Sequence, residues 1–338
     1  MTALQPIRVA LIGGGSMMRH HLRAMLHDAA NVHVVAVAEP SSEAYTQLAA
    51  IFKEAGLPPP PPYRDHVQLL AKHATELDVA LISTPHAQHF EQARACLAAD
   101  LDVLLEKPMV VTAEEAHALI AARDQSGRLL VVAFQGSLSP HVREAVRMLR
   151  AGELGALQGI QAATWQNWDQ STANTWRQQP ELSGGGFLFD TGAHMLNTVS
   201  DLAGEDFAEV SAWFDQRGRP VDIRGVVMAR LRSGALVTLH ATGDSIKGAH
   251  SEIRVWCERG MLITGQWGEH LLLQRDGEET ATPIHLPQAL GVWQQFVAVR
   301  AGELPNPCPP EVGLRMARLW DAIRESAGRG GAAIRLPH

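Results

Sequence analysis

Short apolar runs alternate with helix-like stretches through the first third of the chain. The runs lie at residues 7–12, 32–38, 78–82, 102–105 and 129–134, and none of them shows regular polar alternation. Strands buried on both faces have this pattern, and intervening helices let successive strands lie parallel. The pattern predicts an α/β fold whose N-terminal domain, residues 1–135, is built on a doubly wound parallel sheet.

The first strand-like run ends at a glycine-rich turn, Gly13-Gly14-Gly15, and a helix pattern follows it. Two glycines in this position let the backbone approach a pyrophosphate at the helix N-terminus, as in Rossmann domains. Met18 occupies the third glycine position, which we expect to loosen the packing of helix on strand without abolishing the phosphate site. The candidate cofactor-binding residues of this turn are Gly13, Gly15, Ser16, Met17 and Met18.

Glu39 ends the second strand-like run, near the usual spacing for the acid that binds the adenosine ribose. Its carboxylate would repel the 2′-phosphate of NADP, and Pro40-Ser41-Ser42 supplies no arginine to accept one. We therefore expect NAD as cofactor, with NADP less favoured.

Two later loops also follow strand-like runs, and loops at the carboxyl ends of parallel strands line the ligand. Lys107 lies between Glu106 and Pro108, and a lysine in such a crevice can exchange a proton near neutral pH. The histidines of the earlier loop have an alternative, because they could cap a helix, and for His89 a structural role is equally open. The candidate cofactor-binding residues on these loops are Ser83, Thr84, Pro85, His86, His89, Glu106 and Lys107.

The pattern changes after about residue 150. Residues 158–165, 225–231, 235–241 and 253–256 alternate between apolar and polar, and Arg232-Ser233-Gly234 and Glu258-Arg259-Gly260 are typical of hairpin turns. Helices are expected near residues 290–300 and 310–327. The sequence thus predicts a second domain, residues 136–338, of α+β class with a large, mainly antiparallel open sheet, whose C-terminal helix could pack back on the first domain.

Asp190 and His194 follow the glycine run at residues 184–186 and are four positions apart. They share one face if that stretch is helical, and a histidine suits proton exchange near neutral pH. The alternative is an N-cap aspartate and a structural histidine. Trp176 and Arg177 add an aromatic face and a guanidinium, which suit a polyhydroxylated ring, so the candidate substrate-binding residues are Trp176, Arg177, Asp190 and His194.

Composition argues against several classes of partner. The net charge of −7 gives no electrostatic reason to bind nucleic acid or an anionic membrane. The cysteines number 3 and are scattered, which suits the reducing cytoplasm, and the histidines are too dispersed to predict a metal site. The N-terminal residues lack the pattern of a signal peptide, and no apolar run is long enough to span a membrane.

Taken in order, these motifs resemble those of the Gfo/Idh/MocA oxidoreductases, the family of glucose-fructose oxidoreductase and inositol dehydrogenase. The residues that carry the resemblance are Gly13-x-Gly15 with His21, Glu39, Thr84-Pro85-x-x-x-His89, Glu106-Lys107-Pro108, and Gly184-Gly185-Gly186-x-x-x-Asp190-x-Gly192-x-His194. The resemblance covers nearly the whole chain. It implies a Rossmann domain followed by a domain whose open sheet mediates self-association, as a homodimer or homotetramer.

The resemblance also implies nicotinamide-dependent oxidation or reduction of a sugar, inositol or related polyol, with Lys107, Asp190 and His194 as catalytic residues. Two other functions stay open: an NAD-dependent glycosidase that works by transient oxidation and elimination, and a catalytically silent regulator that senses NAD or a sugar. The chain departs from the family pattern at Met18, Ser137 and Asn197, which puts the identity of the substrate in doubt more than the class of reaction.

Overall fold

A computed structural model describes residues 6–28 and 32–337, which divide into two compact units. The first unit consists of the described part of Met1–Val110, together with Glu114–Ala133 and Leu290–Pro310. The second consists of Val111–Ala113, Phe134–Ala289 and the described part of Glu311–His338. The segment Leu290–Pro310 lies within the stretch that the sequence assigned to the second domain, yet its side chains Trp293 and Phe296 join the core of the first unit.

The described elements follow the chain in this order. The α-helices are α1 Ser16–Asp28, α2 Ser42–Glu54, α3 His66–His73, α4 His89–Ala98, α5 Ala113–Ser126, α6 Gln135–Leu138, α7 Pro140–Arg150, α8 Trp168–Ser171, α9 Pro180–Ser183, α10 Gly192–Ala203, α11 Val292–Arg300 and α12 Pro310–Gly328. The strands are β1 Ile7–Ile12, β2 Val32–Ala38, β3 Pro62–Tyr63, β4 Val79–Ile82, β5 Asp102–Leu105, β6 Leu130–Val132, β7 Leu157–Asn167, β8 Phe207–Asp215, β9 Arg224–Leu231, β10 Leu236–Thr242, β11 Asp244–Cys257, β12 Gly260–Thr264, β13 Leu271–Arg275, β14 Thr282–Pro283 and β15 Ile334–Arg335. Single turns of 3₁₀-helix lie at Ala74–Glu76, His86–Gln88 and Trp176–Gln178.

The first unit contains a six-stranded parallel sheet in the order β3-β2-β1-β4-β5-β6. This is the strand order of the dinucleotide-binding fold. Strands β1 to β3 are added toward one edge of the sheet, and β4 to β6 are added toward the other edge, starting beside β1. β4 and β5 are buried along their whole length, which explains why their sequences are apolar without alternation. The prediction of a doubly wound parallel sheet is confirmed, and the carboxyl ends of β1, β2, β4 and β5 meet at one edge.

The second unit contains a nine-stranded sheet in the order β14-β13-β12-β11-β7-β10-β9-β8-β15. Every neighbouring pair is antiparallel except β7 with β10. Buried and exposed residues alternate strictly along β9 and β10, so one face of these strands packs on the unit's core and the other faces solvent. The predicted open, mainly antiparallel sheet and both hairpin turns are confirmed.

Helix α10 is buried at all twelve of its residues, Gly192–Ala203. Most of its side chains are apolar or small, as expected for a helix enclosed on every side. It ends at Gly204, whose φ of 71° is the left-handed conformation typical of a glycine C-cap. This central helix carries His194 in its first turn.

Candidate active site

The glycine turn after β1 can be formed only because residue 13 has no side chain. Gly13 has a φ of 93°, and a Cβ built on it would lie 2.2 Å from the carbonyl oxygen of Ser83. The Gly13 N–H donates to the Ala38 carbonyl at 2.8 Å, and the Ser83 N–H donates to the Ile12 carbonyl at 2.8 Å. The ends of β1, β2 and β4 are therefore drawn together around the turn.

The carboxylate of Glu39 is fixed against this turn by backbone donors. One oxygen accepts from the Gly14 N–H at 2.6 Å and the other from the Ser41 N–H at 2.7 Å. Gly15, Ser16 and Met17 follow as an exposed stretch at the start of α1. A glycine cradle, a helix N-terminus and an anchored acid together fit the pyrophosphate and ribose of a dinucleotide.

Met18 does not face solvent with its neighbours in the turn. Its side chain is fully buried in the apolar core of the first unit, with Leu22 and Met25 of the same helix. Met18 therefore contributes its side chain to the core of the first unit, and the expected loosening of the packing of α1 stays a prediction.

The loop after β4 brings Thr84 and His89 into one hydrogen-bonded group. His89 is fully buried, and its ring nitrogens lie 2.8 Å from the Pro108 carbonyl oxygen and 3.0 Å from that of Thr84. Burial lowers the pKa of His89 to about 4, and the charge of His86 acts in the same direction. His86 is also buried, with its ring centroid 5.9 Å from that of His89, whereas Ser83, Thr84 and Pro85 are half-buried. His89 thus ties the loop after β4 to the loop after β5.

Glu106 anchors the loop that carries Lys107. One carboxylate oxygen lies 2.6 Å from Nε2 of His21, and the other accepts the Lys107 N–H at 3.0 Å. Burial would raise the pKa of Glu106, but the hydrogen bond and charge of His21, with the charge of Lys107, hold that pKa below its ordinary value. Glu106 is therefore an anion that joins α1 to the end of β5, and Lys107 beside it is half-buried.

In the second unit, one carboxylate oxygen of Asp190 accepts two hydrogen bonds. The donors are the indole Nε1 of Trp168 at 2.8 Å and Nε of Arg177 at 3.0 Å. The Arg177 guanidinium also lies over the ring of Trp176, 4.5 Å from its centroid. The structure therefore brings Trp176, Arg177 and Asp190 together, as expected of residues that share a site.

Asp190 is not part of the helix that carries His194. The chain forms turns from Gly186 to Thr191, and α10 begins only at Gly192. The condition under which Asp190 and His194 would share one helical face is therefore not met, and the backbone before α10 is instead bonded to Asp222. The Asp222 carboxylate accepts the N–H groups of Gly186 at 2.7 Å and Leu188 at 2.9 Å.

The ring of His194 lies among aromatic side chains. Its centroid is 5.9 Å from that of Phe134 in an edge-to-face arrangement and 5.9 Å from that of Trp267. His194 is 9% exposed, so only a small part of the imidazole reaches solvent. Such a ring can exchange a proton with a bound group while its orientation is held by packing.

Ser137 and Asn197, two positions at which the chain departs from the family pattern, are hydrogen-bonded to each other. Asn197 Nδ2 donates to Ser137 Oγ at 2.8 Å, and Ser137 Oγ donates to a carboxylate oxygen of Asp201 at 3.1 Å. Both residues are fully buried, and Arg143 also pairs with Asp201. This pair joins α6 to α10, the helix that carries His194.

Sequence reasoning left out four residues that shape the site. Trp168 is a buried core residue, which an aromatic cluster in the sequence indicates, but the bond from its indole N–H to Asp190 depends on the folded structure. His21 stood in the family pattern, but its partner Glu106 is 85 positions away. Trp267 and Asp222 had no local signal, because their neighbours come from distant parts of the chain.

Among residues 6–28 and 32–337, the structure shows no helix long and apolar enough to cross a membrane. Over the same ranges, no three His, Cys, Asp or Glu side chains converge as a metal-binding group.

Two family models match the chain. One, described as an oxidoreductase family with an NAD-binding Rossmann fold, matches residues 7–134. The other, described as the GFO/IDH/MocA C-terminal domain, matches residues 142–263.

Characterised proteins align with the chain at moderate identity. Trans-1,2-dihydrobenzene-1,2-diol dehydrogenase of Sus scrofa is 31% identical over 216 residues, which are 60% of this chain and 63% of that protein. D-xylose 1-dehydrogenase (NADP(+)) 2 of Haloferax volcanii is 26% identical over 294 residues, 85% of this chain and 88% of that protein.

Among solved structures, levoglucosan dehydrogenase in complex with NADH and levoglucosan superposes with a TM-score of 0.82 at 22% identity. That alignment covers 99% of this chain and 100% of the other, and it shows a shared fold. Because the two family models span most of the sequence, and the strand order and the glycine turn agree with them, the chain belongs to the Gfo/Idh/MocA family of NAD-binding oxidoreductases.

Proposed function

We propose that the protein is an NAD-dependent dehydrogenase that transfers a hydride between nicotinamide and a secondary hydroxyl or carbonyl group of a sugar, inositol or related polyol. The observation that carries this proposal concerns the edge of the first sheet. A glutamate suited to bind the adenosine ribose and a lysine both lie there, after the carboxyl ends of parallel strands. Glu39 is held at the glycine turn by two backbone donors, and Lys107 follows β5 on a loop held by Glu106.

NAD would supply the hydride acceptor, and the residues of the first unit would hold it. Gly13, Gly15 and the first turn of α1 suit the pyrophosphate, and Glu39 suits the ribose hydroxyls. The negative charge of Glu39 opposes a 2′-phosphate, so we propose NAD rather than NADP as the preferred nucleotide.

Oxidation of a secondary alcohol also requires that the hydroxyl proton be taken up. We assign this proton to Lys107 and His194. One carboxylate oxygen of Asp190 already accepts from Trp168 and Arg177. Asp190 would orient the substrate through its remaining lone pairs. Arg177 and Trp176 offer donors and an aromatic face to the other hydroxyl groups of a polyol.

The family resemblance and the names of the relatives support the substrate class. The relatives named above act on a diol and a sugar, according to their names. Cys96, Cys257 and Cys308 are free thiols, and on that ground we propose the cytoplasm as the compartment.

A substrate screen tests the proposal. The purified protein is incubated with NAD or NADP and a panel of polyols, aldoses and glycosides, and formation of NADH or NADPH is followed by absorbance. We expect NADH with at least one polyol or aldose. Cleavage of a glycoside without net NADH would instead support the glycosidase, and nucleotide binding without turnover across the panel would support a regulator.

A further inference from the structure

We infer that Tyr63 is an activated nucleophile, a second reactive site that takes an acyl group from activated esters with His73 as its base. The site lies in the first unit, on β3 and on the helix α3 that follows it. It uses none of the residues that we assign to the nucleotide or to the polyol. The inference therefore goes beyond the proposed function and does not depend on it.

Three side chains form a continuous chain of hydrogen bonds at this site. The hydroxyl oxygen of Tyr63 lies 2.7 Å from Nε2 of His73, and Nδ1 of the same ring lies 2.9 Å from a carboxylate oxygen of Glu76. A hydroxyl group beside a base that is itself oriented by a third group is the arrangement found around activated nucleophiles. The geometry therefore gives Tyr63 the role of nucleophile, His73 that of base and Glu76 that of the orienting acid.

The carboxylate determines which ring nitrogen of His73 carries the hydrogen. An ionised Glu76 can only accept, so Nδ1 donates to it. In the neutral ring, Nε2 then has no hydrogen and accepts from the Tyr63 hydroxyl. His73 is therefore positioned to take the phenol proton, and Glu76 would stabilise the imidazolium that results.

The surroundings hold the two rings in this geometry. The rings meet edge to face with centroids 5.3 Å apart, and the side chain of His73 is only 12% exposed, so bulk water competes little for its nitrogens. Asp65, the N-cap of α3, accepts the Gln68 N–H at 2.8 Å and fixes the turn between β3 and the helix. Nζ of Lys72 lies 5.6 Å from the centroid of the Tyr63 ring and adds positive charge beside a phenol that must lose its proton.

The chain contains 2 tyrosines, and the second provides an internal comparison. Tyr45 is half-buried like Tyr63, but its hydroxyl donates to the carbonyl oxygen of Pro60 at 2.7 Å. A carbonyl oxygen cannot take up the phenol proton. The structure therefore predicts that two phenols in the same burial class differ in reactivity.

In the inferred reaction, the Tyr63 oxygen attacks the carbonyl carbon of the ester and its proton passes to Nε2 of His73. A bond forms between the phenol oxygen and the acyl carbon, and the bond from that carbon to the alcohol oxygen of the ester breaks. With p-nitrophenyl acetate, the products are O-acetylated Tyr63 and p-nitrophenolate, and His73 releases the proton to solvent. The step requires no oxidant or reductant.

Peptide mapping by mass spectrometry tests the inference on the whole protein treated with p-nitrophenyl acetate. Initial rates of acetylation are measured at Tyr63 and Tyr45 in the same sample. We expect Tyr63 to react at least about 100-fold faster than Tyr45, and His73→Gln to lower the Tyr63 rate by roughly 10²-fold, as for loss of a general base. Glutamine can still bond to the phenol but cannot take up its proton.

Glu76→Gln is a second variant that should fold, because the side chain of Glu76 is 60% exposed. It removes the charge that stabilises the imidazolium, so we expect it to slow acetylation of Tyr63 by at least about tenfold and to leave Tyr45 unchanged. His33→Gln is the matched control, because His33 is exposed, and it should change neither rate.

Equal acetylation of Tyr63 and Tyr45 in the wild type would overturn the inference, as would an unchanged Tyr63 rate in His73→Gln or in Glu76→Gln. The three side chains would then serve only to tie β3 to α3. If His73→Gln does not fold, the comparison of the two tyrosines and the Glu76→Gln variant decide the matter.

Discussion

The side chain of His89 joins two loops that follow different strands of the first sheet. Its ring lies between the carbonyl oxygens of Thr84 and Pro108, and it is fully buried. Burial lowers its pKa to about 4 from the ordinary value of 6.5. Between these two values, the unfolded chain binds a proton at this position that the folded protein does not bind. Acidification therefore favours unfolding.

We expect the free energy of unfolding to fall as the pH drops from about 6.5 to about 4, and His89→Gln to reduce this dependence. Glutamine can still donate to one carbonyl but cannot take up the proton. The measurement is chemical denaturation at a series of pH values, with His33→Gln as control because His33 is exposed. An unchanged pH slope in His89→Gln would contradict the assignment.

At the same scale, residue type and position singled out Glu39 and Lys107, because Glu39 directly follows β2 and Lys107 lies two residues after β5. The contacts that hold them were not predictable. The bond between His21 and Glu106 joins residues 85 positions apart, and the Ser41 donor to Glu39 depends on the local backbone conformation. Spacing shows which residues lie at the sheet edge, whereas hydrogen-bond partners depend on how the loops fold over it.

At the scale of elements, the turn at residues 184–191 is shaped by its contact with the backbone around Asp222. A Cβ on Gly186 would lie 1.9 Å from the carbonyl oxygen of Asp222, and the Phe187 N–H donates to that same oxygen at 2.8 Å. Burial raises the pKa of the Asp222 carboxyl, although the N–H groups of Gly186 and Leu188 act in the opposite direction. The turn presents Asp190 to Trp168 and Arg177.

Gly186→Ala should destabilise the protein by at least about 2 kcal/mol, because backbone atoms on both sides would have to move. Gly328→Ala is the control, since a Cβ there meets nothing within 4 Å and α12 ends at that residue. Thermal unfolding compares the two variants. If Gly186→Ala were as stable as the wild type, the turn would have space for a methyl group at residue 186, which would contradict the structure.

The elements themselves were largely predictable where their pattern was strong. The bounds of β2 and β5 agree with the apolar runs, and alternation identified β9 and β10. The sequence did not reveal β8 or the full length of β11, which runs from Asp244 to Cys257 rather than from residue 253 to 256. The exposed half of β11 lacks the apolar alternation that marks a half-buried strand.

At the scale of the whole molecule, the solvent face of the second sheet bears large apolar side chains. Trp213, Val226, Met228 and Leu236 are between 42% and 56% exposed. Val226 is paired with Trp213, and Leu236 lies on the neighbouring strand β10. An apolar patch of this kind favours association, and the family resemblance implies that the open sheet is where copies meet.

We predict a homodimer or homotetramer through this face. Met228→Asp combined with Leu236→Asp should shift the protein toward the monomer, because two carboxylates would have to be buried at the contact. Light scattering at micromolar concentration is the measurement, and Val67→Asp is the control because Val67 is exposed on α3 of the first unit. A wild-type protein that is already monomeric would contradict the prediction.

The central proposal, which rests on the family resemblance, is that Lys107 and His194 both act on the hydroxyl proton during NAD-linked oxidation. The most direct test is a double-mutant cycle on kcat with the substrate found in the screen, comparing Lys107→Met, His194→Ala and both together. Each single variant should lose roughly 10²–10⁴-fold in kcat while its NAD affinity changes little. The double variant should lose less than the product of the two, because residues that act as a unit are not additive. Wild-type kcat in either single variant would contradict the assignment of that residue, and a loss equal to the product would show that the two do not share the transfer.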